Sequence, residues 1–498
     1  MRVLLVSPFL EDPRYPLYLP SETLGLGYLA SCLRMHDLEV DILDANMLEL
    51  SAEQVAARAK KACYDVVGIS VSFQSLIDEA GRIAKFIKDD SPSMHITVGG
   101  HFATFRHRHI LEIDHSIDSV VRRDGEDTLL ELAAALDMKR SLDGIVGLSF
   151  RSASGQVIVN DPRALCQDLD ELQYPARDTL QYVVELGHPW PTQVSSSRGC
   201  YSNCAFCDIR AFYGRKWRAR AASKVVDEIE WLNREFGSRT FRFTDDEFIG
   251  PRPYGPERAR RIASEIIRRG LDIELMIDAR SQAVDGELFQ LLREAGTIDC
   301  LVGIESGVDR ILKLYNKGVS VSHNLKAIEI LRTLGIKLNL AFIMFDPRMS
   351  FAELQQNYRF LVDNDVVTVD SLRSWLWPLF GTPVVDQLRS HGLIVEETLG
   401  EIKYRFLDSS VERVFDIVSR CGEITHPLDR ALFVARKFKR LSETGLQVIS
   451  EENRSLWLDI FEAALESCHS FDFSQVEARV SSLQERLGSL HEPLEAAP

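Results

Sequence analysis

The sequence predicts an α/β protein in successive parts. A doubly wound parallel sheet occupies residues 1–150, a connector 151–190, a second set of strand–helix repeats 191–383, and a helical region 384–498. Three observations predict this. Short apolar, β-rich runs alternate with segments of helical period in the first part; the alternation recurs six times in the second; beyond residue 383 only helical patterns remain. Strands of about five residues that are apolar along their whole length are buried on both faces, which a parallel sheet covered by its own crossover helices provides.

In the first part, Val3–Val6 precedes the helical Leu24–Arg34, Val40–Leu43 precedes Ser51–Cys63, and Asp65–Phe73 precedes Leu76–Lys88. His95–Val98 and Ile117–Val121 follow, the latter leading into the helical Asp127–Leu136. Such a sheet binds ligands at the carboxyl ends of its strands. The loops there are Ser7-Pro8-Phe9, Ser70-Val71-Ser72-Phe73, Gly99-Gly100-His101-Phe102 and Arg123-Asp124-Gly125-Glu126. No G-x-G-x-x-G follows the first strand, which argues against a nicotinamide dinucleotide. His107, His109 and His115 read as surface or turn residues.

The stretch 167–178 is polar, contains Pro175 and has no apolar face longer than a turn, so it reads as a connector that sets the spacing of its neighbours. Strands in the second part are expected at Thr192–Ser197, Thr240–Phe243, Ile273–Ile277, Asp299–Ile304, Lys337–Phe345 and Val367–Trp377. The segments between them carry apolar residues three and four apart. The last part reads as helices over 384–389, 410–421, 430–444, 454–467 and 473–487, with a frayed tail. Tyr404, Arg405, Arg430 and Arg436 either face a pocket or belong to a solvated helix surface.

With 498 residues, 45% of them hydrophobic, the chain can form two large domains. A formal charge of -16 argues against nucleic acid as the main partner, because phosphate recognition needs a basic face. The run Arg210, Arg215, Lys216, Arg218 and Arg220 is a local exception, serving an anionic cofactor or substrate or being merely solvated. The opening MRVLLVSPF is a short strand followed by Glu11, Asp12 and Pro13, not a signal peptide. No run approaches the ~18 apolar residues of a membrane span. Cys32, Cys63, Cys166, Cys300, Cys421 and Cys468 are scattered, as in a reducing compartment, and the expected location is the cytoplasm.

The stretch that organises the rest is Arg198-Gly199-Cys200-Tyr201-Ser202-Asn203-Cys204-Ala205-Phe206-Cys207. Its C-x3-C-x2-C spacing lets three thiols converge on one inorganic group. A closed zinc site wants four ligands, and no second Cys or His pair lies nearby. A four-iron, four-sulfur (4Fe-4S) cluster on three thiolates leaves one iron open to a substrate. An adventitious trio or a zinc site is the alternative. With an aromatic residue just before the third cysteine, the motif resembles that of the radical S-adenosylmethionine (SAM) enzymes. The first part, with Gly25-Leu-Gly27-Tyr-Leu-Ala and the Gly-Gly-His loop, resembles the Rossmann-like cobalamin-binding domain that precedes the radical domain in one branch of that superfamily. The resemblance covers residues 1–383.

The resemblance implies a partial (β/α)6 barrel, a 4Fe-4S cluster on Cys200, Cys204 and Cys207, and SAM bound through its amino and carboxylate groups to the open iron. It implies SAM contacts at Phe206, Asp245, Asp246, Arg280 and Glu305. It implies cobalamin contacts at Ser7, Phe9, Ser70, Ser72, Phe73, Gly99, Gly100, His101, Gly125 and Glu126. The cobalt-ligating D-x-H-x-x-G motif of many cobalamin proteins is absent, and His101 caps its loop or contacts a propionamide in preference to ligating cobalt. Relatives often carry a glycine-rich turn after the fifth strand, where this chain has Phe345-Asp346-Pro347-Arg348-Met349-Ser350. The implied reaction is methyl transfer from SAM, by way of methylcobalamin, to an unactivated carbon of a small molecule such as a secondary metabolite. The implied electron donor is a flavodoxin or ferredoxin. The alternatives are rearrangement or cyclisation without net methylation, and a non-catalytic regulatory protein that binds cobalamin or a cluster.

Overall fold

The computed structural model describes residues 1–9, 22–185, 190–437, 443–466 and 470–489. Glu11, Asp12, Pro13, Cys468 and the expected tail lie outside the described residues, as does the side chain of Arg436.

The first sheet has seven strands: β1 (Arg2–Ser7), β2 (Glu39–Asp44), β3 (Val66–Ser70), β4 (His95–Gly99), β5 (Ser119–Val121), β6 (Leu148–Arg151) and β7 (Val157–Val159). Its order is β2-β1-β3-β4-β5-β6-β7. The first five pair in parallel. Val3, Val6, Val67 and Ile96 are fully buried, as expected of strands covered on both faces. The antiparallel hairpin β6–β7 extends the sheet to residue 159, past the expected end of the first part. Its signal in the sequence is Ser152-Ala153-Ser154-Gly155, with Gly155 at φ 83° and donating its N–H to Ser152 O at 2.9 Å.

His95 in β4 is tucked against Ser119, Nε2 to Oγ 2.9 Å, and burial pushes its pKa down to about 4. A histidine depressed in this way lends stability that is fully present above 6.5 and is lost as the pH falls towards 4. At about 1.4 kcal/mol per unit the loss is about 3 kcal/mol. The chemical-denaturation midpoint should therefore fall between pH 7 and pH 4.5, and His95→Gln should flatten that dependence.

The connector is locked to both sides. Ala176 N–H donates to Gly27 O at 3.0 Å, and a Cβ on Gly27 would stand 2.7 Å from Ala176 O, so only glycine admits this approach. Arg177 donates to Glu22 Oε2 at 3.0 Å, to Gln193 O at 2.8 Å and to Glu228 Oε1 at 2.7 Å, all of them buried. Charges buried this deeply hold only when paired.

The second part opens with β8 (Thr192–Val194) and a two-residue ladder of β9 (Ser197–Arg198) with β10 (Arg218–Ala219). It continues with β11 (Thr240–Phe243), β12 (Glu274–Arg280), β13 (Thr297–Glu305) and β14 (Lys337–Phe342). The all-parallel order β14-β13-β12-β11-β8 is an open partial barrel of five strands. The sixth expected strand is instead the helix Val369–Arg373, and only a bridge between Phe345 and Trp375 continues the sheet. The reason is local: Thr368 Oγ1 accepts from Ser371 N and Ser371 Oγ from Thr368 N, a capping box that starts a helix.

The helices Pro383–Ser390, Ser409–Lys437, Glu443–Glu466 and Phe473–Ser489 complete the chain. Two expected helices thus merge into the single Ser409–Lys437 helix, which runs through Pro427. An unexpected hairpin, β15 (Ile394–Glu397) with β16 (Ile402–Tyr404), sets Gly400 against Gln74 O of the first part. Phe345, at the end of the barrel, packs on Phe415 at 5.4 Å and Phe461 at 5.9 Å, so these helices cover that end.

Candidate functional site

The two sheets meet through their carboxyl ends. His101, after β4, lies 3.3 Å from Asp208 Oδ2 and stacks on Phe212 at 4.0 Å; both belong to the segment after Cys207. Glu126, after β5, accepts from Arg198 at 2.7 Å, and Asp124 accepts from Arg218 at 2.8 Å. The faces of the two sheets where ligands bind are therefore turned on each other.

The cysteine loop is fixed along its length. Gly199 has φ 90°, and a Cβ there would collide with Lys216 O. Its N–H donates to Asp246 Oδ2 at 2.8 Å. Asn316 Nδ2 donates to Asn203 O at 3.0 Å, and Ala205 N–H to Tyr315 O at 2.7 Å. Cys204 is buried while Cys200 and Cys207 are half-buried. Burial pushes the Cys200 and Cys207 thiols up, so the loop favours neutral thiols until a cation holds them as thiolates. Among the described residues no three His, Cys, Asp or Glu side chains close around one metal ion, as a zinc site would require. A four-iron cluster takes each thiolate on a different iron.

Polar atoms beside the loop fit an amino acid. Arg280 donates through Nη1 to Cys204 Sγ at 3.3 Å and through Nη2 to Lys317 O, while its buried Nε has no partner among the described residues. Glu247 accepts from Gly250 N through Oε2, and its buried Oε1 has none. A lone buried donor and a lone buried acceptor are costly unless a ligand satisfies them, and an α-ammonium and an α-carboxylate would do so. Burial pushes the Glu247 pKa up to about 7, against the opposing charge of Arg280.

The other residues expected at SAM fall into two groups. Asp246 holds Gly199 and remains exposed just beyond β11. Phe206 is half-buried, edge-on to Tyr315 at 5.2 Å. Asp245 requires correction. It is buried and accepts from Ser196 N at 2.7 Å, from Ser196 Oγ and from Ser197 Oγ at 2.8 Å, so its oxygens tie the segment after β8 to the end of β11. Glu305 also differs from expectation: at φ 62°, on a register shift of β13, it pairs with Lys317 at 2.6 Å. That pair holds the Lys317 ammonium 6.0 Å from the Phe206 ring centre. The turn after β14, without the glycines that relatives often carry there, is closed by Arg348 donating to Asp346 at 2.9 and 2.6 Å.

Sequence reasoning missed Glu247 and Lys317. Glu247 follows the carboxylates that end β11, and Lys317-Gly318 follows a helix; both motifs were visible but their partners were not.

Of the residues expected at cobalamin, the loops after β3 and β4 form one unit. Val71 N–H donates to Gly99 O at 2.7 Å and Phe102 N–H to Ser72 O at 3.3 Å. Gly100 has φ 108°, and a Cβ there would stand 2.9 Å from the Val71 backbone. The Ser70 and Ser72 hydroxyls are 3.4 Å apart. Phe73 is 59% exposed, an apolar surface that a large ligand would cover. Ser7 ends β1, and Phe9 packs on the core. Gly125 fits against Val121 and Leu29, and Glu126 is occupied by Arg198. His101 is occupied by Asp208 and Phe212.

Comparison with known proteins agrees with this geometry. Residues 17–133 match the B12 binding domain and residues 194–361 the Radical SAM superfamily. An uncharacterised methyltransferase of Pyrococcus horikoshii, PH0819, is 31% identical, over 74% of this chain and 79% of its own. The anaerobic magnesium-protoporphyrin IX monomethyl ester cyclase of Synechocystis sp. is 29% identical, over 67% of this chain and 66% of its own. The cytidylyl-2-hydroxyethylphosphonate methyltransferase of Streptomyces wedmorensis is 26% identical, over 81% and 85%. The fold is shared with OxsB, a cobalamin-dependent SAM radical enzyme solved with aqua-cobalamin and SAM, at a TM-score of 0.76 and 21% identity, covering 98% of this chain and 80% of that one. The chain belongs to the cobalamin-dependent radical SAM enzymes, methyltransferase-like in kind, with a 4Fe-4S cluster, SAM and cobalamin as its cofactors.

Proposed function

We propose that this enzyme transfers a methyl group from SAM, with cobalamin as the carrier, to an unactivated carbon of a small molecule. The observation that carries the proposal is the docking of the Gly99-Gly100-His101 loop onto Asp208 and Phe212, one turn beyond the cysteine loop, because carrier and radical source must share one space. When bound, the cluster supplies the electron that turns SAM into a hydrogen-abstracting radical, and cobalamin supplies the methyl group. The residues of the chain position and shield. Cys200, Cys204 and Cys207 hold the cluster, and Arg280 donates to the Cys204 sulfur, stabilising its charge. Glu247 and Asp246 offer carboxylates to the SAM ammonium; Phe206, wedged on Tyr315, offers a flat apolar face to adenine. Trp375, half-buried and 6.3 Å from Phe415, helps the C-terminal helices exclude water from the barrel end.

The test is turnover with methyl-deuterated SAM under reducing, oxygen-free conditions. Methylation predicts 5′-deoxyadenosine and S-adenosylhomocysteine together, with the label in a new product. The similarity to a cyclase favours a second reading, in which the substrate is rearranged or cyclised without net methylation. Deoxyadenosine with an unlabelled product and no S-adenosylhomocysteine would support that reading.

A further inference from the structure

Thr104 and His107 on the helix His101–Ile113, Arg122 and Arg123 after β5 and Arg163 after β7 line a cavity of about 300 Å3. Phe105 and Ala211, the latter on the helix Ile209–Tyr213, give it apolar wall. No aspartate or glutamate lines it. Arg163 pairs with Glu131 at 2.8 Å and Asp127 at 3.9 Å, neither of which reaches the cavity.

Arg122 has no such partner. It is 8% exposed and donates only to carbonyl oxygens: from Nε to Gly147 at 3.2 Å, and from Nη2 to Leu148 at 3.3 Å, to Asp161 at 3.4 Å and to Asn160. Its Nη1 is left without a partner among the described residues. Burial lowers its pKa and Arg123 lowers it further, against the charge of Asp161. A guanidinium buried without a counter-ion is costly. Arg123 stands at φ 64°, where side chains other than glycine are uncommon, and its N–H donates to Thr104 Oγ1 at 2.9 Å. The Arg123 guanidinium makes no hydrogen bond or ion pair among the described residues. His107, expected at the surface, is half-buried with Nδ1 3.0 Å from Ser149 Oγ. Burial, then Arg122 and Arg108, push its pKa down to about 4, so the ring is neutral at pH 7. A ring that accepts from Ser149 at Nδ1 carries its hydrogen on Nε2.

We propose that this cavity binds the phosphate group of a small organic ester. Arg122 Nη1, the Arg123 guanidinium, the Thr104 hydroxyl and the His107 ring supply more donors than the two oxygens of a carboxylate use, and they suit a tetrahedral oxyanion. The anion brings the counter-charge that Arg122 lacks. The volume exceeds that of a bare phosphate, and Phe105 and Ala211 offer contact to the carbon part of the ester. Ala211 directly precedes Phe212, which stacks on His101 at 4.0 Å, so the ligand ties the first sheet to the segment after the cysteines. The ester is either a separate metabolite or the phosphodiester of cobalamin itself.

The experiment is calorimetric titration of the iron-loaded, cobalamin-free protein with inorganic phosphate and with glycerol 3-phosphate. The expected result is saturable binding of both, one per chain. Arg123→Asn removes the charge and keeps a residue that tolerates left-handed backbone; it should bind at least about tenfold more weakly, with iron content and Tm close to the wild type. His107→Gln should bind at least about threefold more weakly. Arg108→Gln, a neighbouring cation outside the cavity, should stay within about twofold. Repeating the titration after loading with cobalamin, or with cobinamide, which lacks the phosphodiester, separates the two sources. Phosphate binding blocked by cobalamin alone assigns the cavity to the phosphate of the cofactor; binding kept with both assigns it to a separate ester. Absence of saturable binding in the wild type overturns the proposal, as does unchanged affinity in Arg123→Asn and His107→Gln, an equal loss in Arg108→Gln, or equal blocking by cobalamin and cobinamide.

Discussion

Cys204→Ala is expected to strip the protein of its iron and abolish SAM cleavage while leaving cobalamin binding within about threefold of the wild type. Cys204 is the buried member of the trio and the one whose sulfur receives the Arg280 guanidinium. Losing one of three thiolates leaves a second iron without a protein ligand, and a cluster held at two corners does not survive. The first sheet carries its own hydrogen bonds and core, so its ligand site does not depend on that sulfur. Iron and cobalt analysis of the same sample checks both halves. Loss of cobalamin along with iron would contradict the separation of the sites.

Gly100→Ala is expected to do the reverse, retaining iron and losing cobalamin by at least about tenfold. At φ 108° an alanine is strained by about 1 kcal/mol or more before any contact is counted, and its Cβ would press on the Val71 backbone at 2.9 Å. Relief requires the loops after β3 and β4 to part, which moves Ser72, Phe73 and His101 together. The cysteine loop is held by Asp246, Asn316 and Tyr315 from its own barrel and is not disturbed. Near-wild-type cobalamin affinity in a folded variant would remove these loops from the cofactor site.

What the sequence revealed and what it hid follow from the range of the interactions. The five parallel strands of the first sheet were legible because each is an apolar run that reports its own burial. The cysteine loop was legible because its ligands are close in sequence. The sixth barrel strand was misread because Thr368 and Ser371 form a capping box whose local preference outweighed the apolar pattern around it. Asp245 was misassigned because its partners, Ser196 and Ser197, lie 49 and 48 residues away, so nothing near it in the chain announced that its oxygens were taken. Lys317 escaped notice because its meaning depends on a register shift that brings Glu305 to it. The basic run showed the converse: of five cations alike in sequence, Arg218 and Arg220 are locked in buried ion pairs while Arg215 and Lys216 are exposed and Arg210 is half-buried.

The central claim is that one chain holds two cofactors face to face. Metal analysis after reconstitution without oxygen, with hydroxocobalamin, iron and sulfide supplied, tests it most directly. The account predicts about one cobalt and about four irons per chain in a single monodisperse species. Iron without cobalt would contradict it, because the first sheet would then be a scaffold and the chemistry would have to proceed from SAM alone.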